Sequence, residues 1–313
     1  LTRLPADRHR DGMMIFDRRD IRVYMAVHRY GSIRAAADQL GVAPSAVSRQ
    51  MADMESQLGV TLLERSSRGV NLTDAGRLVL EHMRHVVEEA GYLNEQLSDL
   101  RGIQQRNVRI HCGEGFLADF MQNGLGSIGS PGFQIRYELL VGSTDAVVGA
   151  LANGESDIGI AYNPPATGAV RSLASARHPL CVLIPSGHPL AAMTSVQLAD
   201  CAPYPVALLP KGHGTTDLLM RVASDSGIAL SPLLMTTSID ALRRFVKAGL
   251  GLAFLPRASV AVEDAIELRE LADAALSGAS AHLMVRARRR LPASVDRLAR
   301  HLETSMASFF PRC

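Results

Sequence analysis

The chain has 313 residues, a formal net charge of +2, 47% hydrophobic residues and 20% charged ones, a composition suited to about two globular domains. No run approaches the roughly 18–20 apolar residues that a membrane span requires, and the charged stretch 1–10 lacks the apolar core of a secretory signal, so a cytoplasmic location is expected. With 33 basic residues against 31 acidic ones, any attraction to nucleic acid must come from local charge.

Residues 1–14 are polar and aperiodic, and read as a disordered or tag-like extension. A compact helical pattern follows. Ile21, Tyr24, Met25 and Val27 mark one face of a first helix, which Gly31 closes. Ser32 is a good N-cap for the next helix, since its hydroxyl can accept from a free backbone N–H. That helix, Ile33 to Leu40, carries the small triplet Ala35-Ala36-Ala37, which lets a neighbouring helix approach closely. Gly41 supplies a turn with positive φ. Pro44 stands at the start of a third helix, where its missing N–H costs nothing. That helix sets Val47, Met51, Met54 and Leu58 on one side, and Ser45, Ser48, Arg49 and Ala52 on the other. Two helices about a glycine turn, the second with a small, polar and cationic outer face, make a helix-turn-helix suited to the major groove of double-stranded DNA. On spacing alone, a plain three-helix bundle fits as well.

Arg65, Arg68, Gly69 and Asn71, between β-prone flanks, suggest a small hairpin or wing with arginines placed for phosphate contact. Thr73 then caps a long helix whose apolar positions are Val79, Met83, Val86, Ala90, Leu93, Leu97 and Leu100. Their alternating steps form a heptad seam. From Thr73 to Arg101 such a helix extends about 45 Å and needs a partner along the seam. A second copy of the chain is the expected partner, and packing within the chain is the alternative.

From Asn107 the pattern alternates between strands and helices. Val108–Cys112, Gln134–Val141, Ser156–Tyr162, Leu180–Ile184, Pro205–Leu209, Gly251–Leu255 and His282–Arg288 read as strands. Thr144–Asn153, Thr215–Ser226, Asp240–Ala248 and Ser294–Phe309 read as helices. An α/β domain with mainly parallel sheets follows, in two sheet units joined by crossing strands with a cleft between them. Cys112, Cys181, Cys201 and Cys313 show no metal-ligand spacing and are expected to be reduced, buried thiols; neither metal nor cofactor is expected. No GxSxG, HExxH, P-loop or GxGxxG precedes a suitable helix, so an enzyme is not expected. A solute receptor would need an export signal and has no use for a helix-turn-helix. The run Arg286-Ala287-Arg288-Arg289-Arg290 reads as a strand end beside a polar turn, solvated or paired with acidic neighbours.

The stretch GSIRAAADQLGVAPSAVSRQMADMESQLGVTLLERSSRGVNLTDAG (Gly31–Gly76) resembles the DNA-binding domain of LysR-type transcriptional regulators. Looser matches follow in the family's order at GSTDAVVGALANGESDIGIAY (Gly142–Tyr162), LIPSGHPLA (Leu183–Ala191) and LRRFVKAGLGLAFLP (Leu242–Pro256), so the resemblance covers about residues 15–310. It implies an α/β chain with an N-terminal all-α winged helix-turn-helix (15–72) and a long dimerising linker helix (73–102). A C-terminal effector-binding domain (107–313) would follow, built like periplasmic binding proteins from two subdomains, about 107–178 plus 282–313 and about 179–281. It also implies sequence-specific operator binding under a small-molecule effector, self-association as a dimer of dimers, and RNA polymerase as a further partner. By position, Ser32, Arg34, Pro44, Ser45, Ser48 and Arg49 would lie at the recognition helix and the helix before it, and Arg65 and Arg68 at phosphates. Where the family often shows Ser/Thr-Gln, this chain has Ala43-Pro44, so one base contact is absent or passes to Ser45. Leu63 replaces a common phenylalanine, a change confined to packing.

Solute-binding folds hold ligands where strand C-termini face helix N-termini, whose free N–H groups favour anions. Three loops fit: Gly113-Glu114-Gly115-Phe116, Ser143-Thr144, and Pro210 to Thr216 with Lys211, His213 and Thr215. By resemblance, Thr144 matches a position that bonds the effector and Lys211–Thr215 a cleft-lining loop; Tyr162, Asn163 and Ser238 are further candidates at strand ends. Serine and threonine before a helix are also ordinary N-caps, which is the competing reading. Glu114 falls where many relatives keep a small hydroxyl. Its carboxylate would repel a carboxylate effector while Lys211 and His213 attract one, so the expected effector is polar, amino-bearing or zwitterionic, and not a simple aromatic acid.

Overall fold

The computed structural model describes residues 16–66, 69–100, 106–125, 135–259 and 266–306. The extension at 1–14, Arg68, Cys313 and the end of the expected last helix lie outside the described residues. The chain divides into two compact units between Ala90 and Gly91.

The first unit contains α1 (Arg18–Tyr30), α2 (Ile33–Leu40), α3 (Pro44–Leu58), a hairpin of β1 (Leu63–Ser66) and β2 (Gly69–Leu72), and the start of α4 (Asp74–Leu100). Its helix boundaries have local causes. Asp17 accepts from the Arg19 and Asp20 amides and Asp20 reciprocates, a capping box. Ser32 Oγ accepts from the Ala35 amide, and Gly41 ends α2 at φ +66°. Thr73 Oγ1 accepts from the Gly76 amide while donating to the Thr61 carbonyl. The core gathers Tyr24, Val27, Ala36, Ala37, Val47, Met51, Met54 and Leu62. Tyr24 donates to the Gly76 carbonyl at 2.8 Å, and burial pushes its phenol well above the usual range.

The hairpin is tied at both ends. Glu55 Oε1 accepts from the Leu62 and Leu63 amides, and the Val70 amide donates to the Gly31 carbonyl at 2.8 Å. Gly69 is needed there: φ is +129°, and a Cβ would lie 2.5 Å from the Gly31 oxygen. Along α4, Leu80 and Met83 are buried in this core, with Val79 and Val86 packed against it. Leu78, Val87, Leu93 and Leu97 remain exposed. The first half of the heptad seam is therefore taken up inside the chain, which corrects the expectation that the whole seam awaits a second copy.

The second unit holds β3 (Arg106–Cys112), α5 (Leu117–Asp119), β4 (Ile135–Val141), α6 (Thr144–Ala152), β5 (Ile158–Tyr162) and β6 (Val170–Arg177). It continues through β7 (Leu180–Pro185), α7 (Leu198–Cys201), β8 (Pro205–Leu208), α8 (Gly214–Asp225), β9 (Ser231–Met235) and α9 (Ile239–Lys247). It closes with β10 (Leu252–Pro256), β11 (Ile266–Glu270), α10 (Ala274–Ser277), β12 (Ser280–Arg286) and α11 (Ala293–Ser305). Two five-stranded sheets result, in the orders β4-β3-β5-β12-β6 and β11-β7-β10-β8-β9. Within them β3, β4 and β5 are mutually parallel, as are β8, β9 and β10. One strand in each sheet runs the other way: β12 pairs antiparallel with β5 and β6, and β7 with β10 and β11. These two are the strands received directly from the other sheet, so the crossovers explain why the sheets are mixed rather than parallel throughout.

Sequence periodicity missed β6, β9 and β11, each an outer strand. An outer strand is buried less completely and carries a weaker apolar signal. The arginine run behaves as a strand end: Arg286 is buried, and Arg289 pairs with Asp157 at 2.8 Å. Burial alone would raise the Asp157 carboxyl, but the guanidinium groups of Arg109 and Arg289, with the Arg109 hydrogen bonds, outweigh it and hold it below the usual range. Cys112, Cys181 and Cys201 are buried thiols that form no disulfide among the described residues. Among the described residues no helix is long and apolar enough to cross a membrane.

Candidate functional site

In the first unit the outer side of α3 carries the sequence-selected residues. Pro44, Ser45, Arg49 and Ala52 are exposed and Ser48 is half-buried, opposite the buried Val47, Met51 and Met54. Arg34 is exposed on α2, and neither it nor Arg49 forms an ion pair with another described residue. Ser32 is half-buried as the α2 cap. Arg65 lies in β1 opposite Val70. One feature was not read from the sequence: Ala43 gives α3 no side-chain cap. Pro44 has no N–H and the Ala46 amide turns back to the Ala43 carbonyl, so the Ser45 amide is left open on an exposed surface, at the electropositive end of the helix dipole.

In the second unit a cavity of about 550 Å³ lies between the two sheets. Its wall is drawn from the carboxyl ends of β3, β4 and β5 in one sheet and β8, β9 and β10 in the other. Gly113, Glu114, Gly115 and Phe116 follow β3, Gly142, Ser143 and Thr144 follow β4, and Tyr162 ends β5. From the other sheet come Leu209, His213, Gly214 and Thr215 after β8, Thr237, Ser238 and Ile239 after β9, and Leu255, Pro256 and Ser259 at the end of β10. Clefts of this size at such strand ends are where α/β folds hold small ligands. Helices α6, α8 and α9 all begin at the cavity, so three positive dipole ends converge on it.

The polar groups there are already engaged in particular ways. Thr144 Oγ1 accepts from the Gly214 amide at 2.9 Å and donates to the Tyr162 carbonyl at 3.2 Å, bridging the halves. The approach is close enough that a Cβ on Gly214 would stand 1.8 Å from the Tyr162 oxygen. The Asp145 amide donates to the Gly212 carbonyl nearby. Ser143 and Ser238 cap α6 and α9 by accepting from Ala146 and Ala241, so each keeps its hydroxyl proton to give. His213 Nδ1 is 2.9 Å from the Pro210 carbonyl. A carbonyl only accepts, so Nδ1 carries the proton in this contact. Tyr162 donates to the His178 carbonyl at 2.8 Å, and burial raises its phenol well above the usual range.

Of the sequence-selected cavity residues, Glu114, Gly115, Ser143, Thr144, Tyr162, His213, Thr215 and Ser238 meet in this wall. Lys211 and Asn163 lie outside it. Gly212 turns the chain at φ +89° and faces Asp145, leaving Lys211 exposed. Asn163, in the left-handed region at φ +43°, donates its amide to the Ser280 carbonyl. Thr237, Ile239 and Ser259 were missed, although each follows a strand that runs toward the cavity. Applying the strand-end rule to β9 and β10 as well as to β3, β4 and β8 identifies them.

Residues 18–77 match the bacterial regulatory helix-turn-helix protein of the lysR family, and residues 101–307 the LysR substrate binding domain. The chain is 29% identical over 260 residues to the RuBisCO operon transcriptional regulator of Allochromatium vinosum, covering 81% of this chain and 83% of that one. A full-length OxyR variant from Pseudomonas aeruginosa shares the fold with a TM-score of 0.65 at 20% identity, covering 93% of this chain and 95% of that one. Full-length CbnR in complex with its target DNA matches with a TM-score of 0.52 at 23% identity, covering 94% of this chain and 99% of that one. The chain belongs to the LysR family, as a DNA-binding transcriptional regulator with a substrate-binding effector domain, and not an enzyme.

Proposed function

We propose that α3 reads operator DNA from the major groove and that a small molecule in the 550 Å³ cavity sets how the DNA is held. Ser45, Ser48 and Arg49 supply base and phosphate contacts. Pro44 starts the helix and leaves the Ser45 amide to a phosphate, while Ser32, Arg34, Arg65 and Arg68 add further contacts. In the cavity Glu114, Gly115, Ser143, Thr144, Tyr162, His213, Thr215 and Ser238 form the ligand wall. The observation that carries this reading is the cavity itself, formed by strand ends of both sheets and crossed by only a few hydrogen bonds. Changing the contents of such a cavity changes how its halves close.

The exposed Leu93 and Leu97 on α4 support self-association along that helix, with a dimer of dimers presenting paired recognition helices to separated half-sites. Ligand-driven closure then shifts those pairs, changes the bend between the sites, and alters RNA polymerase access to the promoter. Such a regulator works in the cytoplasm. Genome-wide footprinting of the purified full chain identifies its operator. On that operator, a metabolite that binds the cavity should change the footprint or the bend angle, and identical footprints with and without bound ligand would refute the reading.

A further inference from the structure

Glu114 reaches across the cavity. Its Oε2 accepts from the Ile239 backbone N–H at 3.2 Å, linking the loop after β3 to the first residue of α9 in the opposite half. The α9 cap, Ser238, is already bonded to Ala241, so the Ile239 N–H is left for an acceptor from outside the helix. A helix N-terminus carries roughly half a positive elementary charge, which makes this the favourable seat for a ligand carboxylate in that half. The protein's own carboxylate sits there. The other contacts across the cleft, Thr144 with Gly214 and Asp145 with Gly212, use hydroxyl and backbone groups and bring no charge. Among the lining residues Glu114 is the only aspartate, glutamate, lysine or arginine. No lysine or arginine in the wall offsets a second anion beside it.

We propose that Glu114 is the specificity-determining residue of this cavity. It acts as a tethered anion that fills the α9 N-terminus, bars plain monocarboxylates from that seat, and offers its second oxygen to an amino-bearing ligand. At the N-termini of α6 and α8 the Asp145, Ala146 and Gly214 amides are already bonded, which leaves the Thr144 and Thr215 amides for the negative end of a zwitterion. The proposal rests on reading this cavity as the effector site, but the two fail separately: ion binding reports on Glu114 whatever the cavity controls, and footprints report on control whatever Glu114 selects.

The test compares the purified full chain with its Glu114→Gln and Glu114→Ala variants by thermal shift and calorimetry. The probes are sodium acetate and ethylammonium chloride at matched ionic strength. Wild type is expected to respond to ethylammonium more than to acetate. Both variants should reverse that order, with acetate bound roughly tenfold more tightly than by wild type. Glutamine keeps an acceptor for the Ile239 N–H without the charge, so Glu114→Gln decides the matter by the same criterion if the alanine variant does not fold. Equal responses of wild type and Glu114→Gln to both probes, or acetate binding as tight in wild type as in the variants, would overturn the proposal.

Discussion

Arg49 sets a permanently charged, planar donor on the exposed side of α3, with no ion pair to another described residue holding it back. Its fork suits a guanine edge or a phosphate. Arg49→Ala is therefore expected to weaken operator binding by about 1–3 kcal/mol while thermal unfolding stays as in wild type; a gel-shift titration beside a circular-dichroism melt measures both. His178 makes a different kind of prediction. Buried beside the crossover into β7, it is pushed down to about 4 from its ordinary 6.5. The fold thus holds it neutral, and the unfolded chain takes up the proton first. Its contribution is intact above about pH 6.5 and is lost as pH falls toward 4, about 3 kcal/mol in all. Asp157, held low by its arginines, matters only below that window. Urea unfolding at pH 7 and pH 4.5 should show a smaller loss in His178→Gln than in wild type, and equal losses would count against the assignment. Burial likewise raises the Cys112 thiol to about 11 and the Cys201 thiol to about 12, so alkylation of the native chain followed by peptide mass mapping should find both unmodified.

Among the elements, the hairpin shows how one position governs a packing arrangement. Gly69 combines φ +129° with a backbone oxygen where a Cβ would go. Gly69→Ala should cost about 2 kcal/mol or more, read as a lowered unfolding midpoint in urea. The sequence announces the glycine turns, the Pro44 start and the Thr73 cap, because each rests on a residue's own backbone or hydroxyl. It says less about α4. A heptad seam shows which side is apolar but not what covers it, and Leu80 and Met83 are covered by the chain's own core. The exposed remainder supports a specific expectation: Leu93→Glu with Leu97→Glu should lower the oligomeric state in sedimentation without loss of helicity. Strands follow the same logic. Central β5 and β10 are plain in the sequence, whereas outer β6, β9 and β11 are not, since half-burial leaves little periodic signal.

For the whole molecule, the cavity was legible as three loops and became a single wall only when two sheets, joined by crossovers, set six strand ends around it. No local pattern could pair Glu114 with Ile239 or turn Lys211 outward, because those facts depend on contacts between distant parts of the chain. The central claim is that the contents of this cavity govern how DNA is held. Thr237 tests it directly, since it lines the cavity with an exposed side chain and makes room for a larger one. Footprint and bend angle should be measured on the chain's own operator, for wild type and Thr237→Trp, with and without a metabolite selected by thermal shift. The account expects the ligand to change the footprint or bend of wild type and to leave that of Thr237→Trp unmoved. A ligand response of equal size in both proteins would contradict it.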